Sequence, residues 1–145
     1  MSKMYILQGP PASGKSTKAW EIYGRDVENS VIVNRDAIRR ARGDYWVPSQ
    51  EKFITDVERF MAEAALERGY NVIIDATNLN PHNLLFWEVL AAGHNAEVEK
   101  IRCETPYDVC VAQDMISTRT QHVGESVIKN FFDKYNIDYK TGKWE

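Results

Sequence analysis

The chain has 145 residues, 43% of them hydrophobic, which is enough for one packed core (1–145 as a single domain) and too many for a disordered segment. Its 18 Lys and Arg against 21 Asp and Glu give a net charge of −3, which argues against coating nucleic acid through a dominant basic face. No apolar run approaches the roughly 18 residues that span a bilayer, no leader pattern opens the chain, and the two cysteines, Cys103 and Cys110, lack metal-ligand spacing, so a cytoplasmic protein with reduced thiols and no membrane association is expected.

Met4–Gln8 reads as a first strand running into a glycine-rich loop. A helix opens near Lys15 and runs to about Tyr23, with Gly24 as its stop. Val31–Val33 is a second strand, followed by a short helix over Asp36–Arg42 that Gly43 ends. Ser49 is placed to cap a long helix over Gln50–Arg68, in which Phe53, Val57, Phe60, Met61 and Ala64 recur at helical spacing. Asn71–Asp75 is the clearest central strand, and Asn80-Pro81 supplies a cap and a first-turn proline for a helix to about Ala92, in which Phe86 and Trp87 read as core or subsurface residues. Ala96–Cys103 is a strand whose polar and apolar residues alternate imperfectly. Thr105-Pro106 repeats the cap-and-proline signal for a helix to about Ser117, the polar stretch Thr118–Gly124 is expected to be mobile, and Glu125–Tyr135 is a last amphipathic helix, after which Tyr139 and Trp144 are expected to pack back on the domain. Strands separated by helices predict an α/β fold: a parallel sheet covered on both faces, with its chemistry beyond the carboxyl ends of the strands.

Gly9, Pro10, Pro11, Ala12, Ser13, Gly14, Lys15 and Ser16 fit the Gly-x4-Gly-Lys-Ser pattern between a strand and a helix. Glycines let the backbone curl so that N–H groups face phosphate oxygens, and the following helix adds its unpaired N–H groups and the positive end of its dipole. Lys15 is then expected at the β/γ-phosphates and the Ser16 hydroxyl on Mg²⁺, with Thr17 closing the cradle, so the chain reads as binding a nucleoside triphosphate such as ATP. The second strand delivers Asn34-Arg35-Asp36 to the same sheet edge, within a cluster of Arg35, Arg39, Arg40 and Arg42. Asp36 can accept a proton from an attacking hydroxyl, and Arg39, one helical turn on, can hold an acceptor phosphate; equally, Asp36 can be a helix cap and the arginines a solvated face.

The P-loop with its following Thr17, Val33 to Arg39 (Val-Asn-Arg-Asp-Ala-Ile-Arg) and Ile74 to Pro81 (Ile-Asp-Ala-Thr-Asn-Leu-Asn-Pro) together resemble the kinase domain of phage-type 5′-polynucleotide kinases, in order and spacing from Met4 to about Tyr135. The resemblance implies a P-loop kinase fold with a small four-stranded parallel sheet and a helical lid segment, ATP as donor and a nucleic-acid hydroxyl as acceptor. It assigns Asp36 as general base and Arg39 as an acceptor-phosphate contact, places Thr77 and Asn78 on the acceptor side, and points to Arg119, between the last two helices, as the lid arginine that contacts the donor. Two departures stand out: Ala76 occupies the place where these kinases carry an acid, with Asp75 one residue earlier, and Gln113 stands where they often carry a further arginine.

Asp75 ends a strand, the position of an acid that helps hold Mg²⁺, though Asp75 and Asn78 could instead brace the turn before Pro81. Arg119 can equally be an exposed loop residue. Tyr45 and Trp46 could stack on an acceptor base or simply pack beside Pro48, and His122 is a further phosphate-contact candidate. The leading expectation is an ATP- and Mg²⁺-dependent kinase of a nucleic-acid hydroxyl, most simply a 5′-hydroxyl. The alternatives are a hydroxymethylated base or a nucleoside-like metabolite as acceptor, or a nucleotide-responsive binding module. No Asp-x-Asp-Gly-Thr segment is present, so an end-healing phosphatase, like a ligase, would be a separate partner.

Overall fold

The computed structural model describes residues 2–116 and 122–145. Four parallel strands, β1 (Lys3–Gln8), β2 (Ser30–Asn34), β3 (Asn71–Asp75) and β4 (Glu97–Arg102), form one sheet in the order β2-β3-β1-β4. Register pairs Ile6 with Ile74 and Val33 with Ile74, so the carboxyl ends of the three strands that carry the motifs lie side by side. The helices are α1 (Lys15–Gly24), α2 (Arg35–Arg42), α3 (Glu51–Glu67), α4 (Pro81–Gly93), α5 (Tyr107–Asp114) and α6 (Glu125–Lys134). None of the described helices is long and apolar enough to cross a membrane.

Alternation along the strands divides the core between the two faces of the sheet. Met4, Ile6, Val33, Val72 and Ile74 face α3 and α4, where Ile54, Ala62, Leu66, Trp87 and Ala91 meet them. Leu7 and Ile73, with Tyr5, Ile32 and Ile101, face α1 through Ala19 and Ile22. The irregular pattern of β4 now has a cause: Val98 joins the first cluster and Ile101 the second, as expected for a strand with apolar contacts on both sides. A third cluster unites α5, α6 and the tail through Cys110, Ile128, Phe132 and Ile137, with Tyr107 and Trp144 against it. Tyr139 reaches it as well, its ring 4.7 Å from that of Tyr107.

Three local expectations are corrected. Ser49 does not cap α3; Pro48–Gln50 forms a 3₁₀ turn and Gln50 precedes the helix without a side-chain cap. The buried stripe of α3 is Ile54, Glu58, Ala62, Ala65 and Leu66, whereas Phe53 and Phe60 are exposed; a buried carboxylate, paired with Arg35, takes a place that periodicity gives to an apolar residue. Thr105 does not cap α5 either: Pro106 precedes that helix, and the Thr105 hydroxyl donates to the Ser13 carbonyl. Asn80 does cap α4, accepting from the His82 N–H at 2.8 Å.

Asn78 ties the sheet end together. It adopts a left-handed φ of 47°, which asparagine tolerates, and is 5% exposed. Its amide donates to the Leu7 carbonyl at 2.7 Å and the Ala76 carbonyl at 3.2 Å, its side-chain oxygen accepts from Trp87 Nε1 at 3.2 Å, and its own carbonyl accepts from Gln8 Nε2. The side chain of Asn78 thus braces the sheet end, the alternative open to it in the sequence. Asn78→Ala leaves the Trp87 donor without this partner and is expected to cost about 2–4 kcal/mol of unfolding free energy. Urea denaturation checks this, and a loss under about 1 kcal/mol would remove the bracing role.

Candidate active site

The P-loop runs from Gly9 into α1. A Cβ at Gly9 would lie 2.6 Å from Ser13 Oγ and 3.0 Å from the Cys103 carbonyl, so no side chain fits there. Ala12 adopts φ 63°, a strained conformation for a residue with a side chain and of the kind that collects at functional sites. Lys15 is buried and its Nζ donates to the Pro10 carbonyl at 2.7 Å, so the cation lies within the loop rather than out in solvent. Burial lowers the Lys15 ammonium pKa from its usual value, and the Asp75 carboxylate and, more weakly, that of Asp36 act against the shift.

Asp75, at the end of β3, joins the loop to the second strand. Its Oδ2 accepts from the Ser16 hydroxyl at 2.9 Å and from Asn34 Nδ2 at 2.7 Å. A serine hydroxyl and a carboxylate side by side beside a phosphate cradle are hard oxygen donors of the kind Mg²⁺ takes, usually with phosphate oxygens and waters in the remaining positions. The residues present therefore fit that ion. The side-chain oxygen of Asn34, Oδ1, accepts from the Ala37 N–H at 2.7 Å, so Asn34, not Asp36, caps α2. Asp36 is thereby released from the capping role open to it in sequence.

The Asp36 carboxylate, 39% exposed, accepts from Arg39 Nη1 at 2.8 Å and the Tyr45 hydroxyl at 2.7 Å. Burial, then the hydrogen bond to and the charge of Asp36, push the Tyr45 phenol up to about 12, so it remains a donor at neutral pH. Arg39 is held in turn by Glu51, from Nε at 3.0 Å and from Nη2 at 2.5 Å. Burial opposes its charge, but the hydrogen bonds and charge of Glu51 outweigh that and raise its pKa above the usual guanidinium value. Arg35 does not face the site: it bonds Glu51 at 3.2 Å and the buried Glu58 at 3.0 Å. Glu51 and Glu58 went unnoticed in the sequence, although four clustered arginines require acids and Glu58 is a charge on the apolar stripe of α3.

The remaining expected residues separate clearly. Thr77 meets the loop through its backbone, its carbonyl accepting from the Gly9 N–H at 3.0 Å. The Tyr45 hydroxyl is engaged by Asp36, whereas Trp46 is 59% exposed with one face 5.6 Å from the Arg39 guanidinium. His122 is held against the Asp114 carbonyl, and Asp114 also accepts from the Val123 and Gly124 N–H groups at 2.9 Å. Arg119, the lid candidate, lies outside the described residues.

Against this geometry, residues 4–136 match the profile of the family described as AAA domain, and the chain belongs to that family of P-loop kinases. The L-seryl-tRNA(Sec) kinase of Methanococcus maripaludis is 27% identical over 146 residues, covering 98% of this chain and 56% of that protein. A solved structure of the Pnkp1/Rnl/Hen1 RNA repair complex contains a chain with 28% identity and a TM-score of 0.76, covering 97% of this chain and 47% of that one. A second structure of the Pnkp1/Rnl/Hen1 complex gives 33% identity and a TM-score of 0.68, over 84% of this chain and 42% of the other. The chain thus spans about half the length of these relatives.

Glu51 makes the ion-pair cluster around Arg39 testable through stability. Hydrogen bonds from Arg39, reinforced by Arg35, hold its carboxyl below the usual carboxylate range. A pKa that is lower in the folded than in the unfolded chain gives stability above the unfolded value of about 4.3, lost as pH falls through the folded value. Glu51→Gln is expected to have a lower urea midpoint at pH 7, with the gap to the parent narrowing below pH about 4. A gap that stays constant down to pH 3 would leave Glu51 a packing role only.

Proposed function

We propose that the protein transfers the γ-phosphate of ATP to a hydroxyl carried on a nucleic acid, most simply the 5′-hydroxyl of a polynucleotide, as the phage-type kinases do. The observation that carries this reading is the Asp36–Arg39 pair, a carboxylate freed from helix capping beside a guanidinium, at the sheet edge that carries the P-loop. Asp36 accepts the proton of the acceptor hydroxyl, whose oxygen attacks the γ-phosphorus in line; the bond from that phosphorus to the β–γ bridging oxygen breaks, and ADP leaves. Lys15 and the loop N–H groups hold the donor phosphates. Ser16 directly and Asp75 beside it would hold Mg²⁺, which neutralises charge on the transferred phosphoryl group. Arg119 supplies a further positive charge to the same group, and Trp46 offers its exposed face to an acceptor base.

A second acceptor reading has its own support. The seryl-tRNA(Sec) kinase match extends over nearly the whole chain, so a hydroxyl attached to RNA elsewhere than at its 5′ end enters the same comparison. The structural relatives belong to Pnkp1/Rnl/Hen1 assemblies, one of them described as an RNA repair complex, which supports a separate protein partner, a ligase or a phosphatase, for this chain as well.

Radiolabelled γ-phosphate transfer to 5′-hydroxyl DNA and RNA oligonucleotides of graded length, seryl-tRNA, hydroxymethylated duplexes and free nucleosides separates the acceptors. Label at the 5′ end is the expected result; label on seryl-tRNA or on nucleosides alone would replace the polynucleotide reading, and ATP turnover unaffected by any acceptor would favour a binding module. A Michaelis constant that falls with oligonucleotide length is expected if Trp46 stacks on a base.

Asp36→Asn is expected to lower turnover by roughly 10²–10⁴-fold with ATP binding retained. A loss under tenfold on the best acceptor removes the base role. Arg119→Ala is expected to cost about 10³–10⁵-fold in turnover, as for other arginines that contact a transferred phosphoryl group, and unchanged kinetics would eliminate it.

A further inference from the structure

The Thr105 hydroxyl donates to the Ser13 carbonyl at 2.8 Å across 92 residues of sequence. Ser13 is buried and stands directly before Gly14 in the phosphate cradle. Across a planar trans peptide the carbonyl of one residue and the N–H of the next point in opposite directions. Fixing the Ser13 carbonyl toward Thr105 therefore fixes the Gly14 N–H on the opposite side of the same peptide, the one that a P-loop turns toward phosphate. Thr105 is itself held from behind. Gly142 is buried with φ 76°, and a Cβ there would lie 2.4 Å from the backbone N, C and O of Thr105. The turn that carries Gly142 is closed by the Gly142 N–H on the Asp138 carbonyl at 2.8 Å and by Asp138 Oδ1, which accepts from the Lys140 and Thr141 N–H groups. It is joined to the start of α5 by the Tyr107 N–H on the Tyr139 carbonyl at 2.9 Å.

We propose that Thr105 is a positioning residue of the donor site, orienting the Ser13–Gly14 peptide, and that the turn over residues 138–143 is the buttress that keeps Thr105 in place. The C-terminal segment beyond α6 is thereby part of the nucleotide-binding apparatus. The inference rests on the P-loop being the donor site and is independent of the acceptor. Isothermal titration with Mg²⁺ and a non-hydrolysable ATP analogue tests it, with Lys15→Ala as reference and thermal melts as folding controls.

Thr105→Val, which keeps the side-chain shape, is expected to weaken analogue binding about three- to tenfold, the range of one lost hydrogen bond, and Thr105→Ser to restore it. Gly142→Ala is expected to weaken binding in the same direction. If that variant does not fold, the Thr105 pair still decides the matter. Folded Thr105→Val that binds within twofold of the parent, while Lys15→Ala loses binding, overturns the positioning role. Equal binding by both removes the donor-site reading and this proposal with it. A folded Gly142→Ala that binds as the parent does overturns the buttress.

Discussion

Everything at the candidate site depends on the carboxyl ends of β1 and β3 finishing together, and one buried amide enforces that. Asn78 donates to the Leu7 and Ile74 carbonyls, near the carboxyl ends of β1 and β3, and accepts from Trp87 on α4, so the loop after β3 cannot shift without breaking bonds on three elements at once. Gly9 is fixed to the same loop through the Thr77 carbonyl. The phosphate cradle and Asp75 thus share a single anchor, and the 2.9 Å contact between Ser16 and Asp75 follows from it. Among the described residues, no buried side-chain nitrogen or oxygen lacks a partner, and breaking one bond of such a network leaves another group unpaired at a cost above that of an average hydrogen bond.

Beyond that edge the geometry is carried by charge. Asp36, Arg39, Glu51, Arg35 and Glu58 form a continuous chain of ion pairs from the partly exposed carboxylate to a buried one. The two glutamates shift in opposite directions although both meet Arg35. Glu51 has two guanidinium partners and is held low; Glu58 is buried, and desolvation raises its pKa despite Arg35. Arg39 is the pivot, since its guanidinium meets Asp36, Glu51 and the faces of Tyr45 and Trp46. Those four partners fix its orientation.

The elements legible in the sequence are those whose signals are local. The glycine spacing of the P-loop, the Asn80-Pro81 start of α4 and the apolar run of β3 each depend on neighbouring residues, and each stands where periodicity and capping rules place it. Misreadings arise where a polar side chain finds a distant partner. Thr105 has the local context of a cap but bonds Ser13, Asn78 resembles a ligand-facing residue but bonds Leu7, 71 residues away, and Glu58 occupies an apolar stripe because Arg35 meets it. Asn34 is intermediate: it caps α2 locally and reaches Asp75 across the sheet. Such pairings belong to the topology β2-β3-β1-β4, which periodicity alone does not order.

The left-handed Ala12, preceded by two prolines, carries a thermodynamic consequence of its own. Holding a residue with a side chain in that region costs on the order of 1–3 kcal/mol, and the prolines remove chain freedom from the unfolded state as well as from the folded one. The disorder of the loop is therefore surrendered once, when the domain folds, rather than anew at each encounter with a nucleotide. Association with so rigid a cradle should show a small ordering penalty and a heat-capacity change that reflects mainly the surface covered by the ligand.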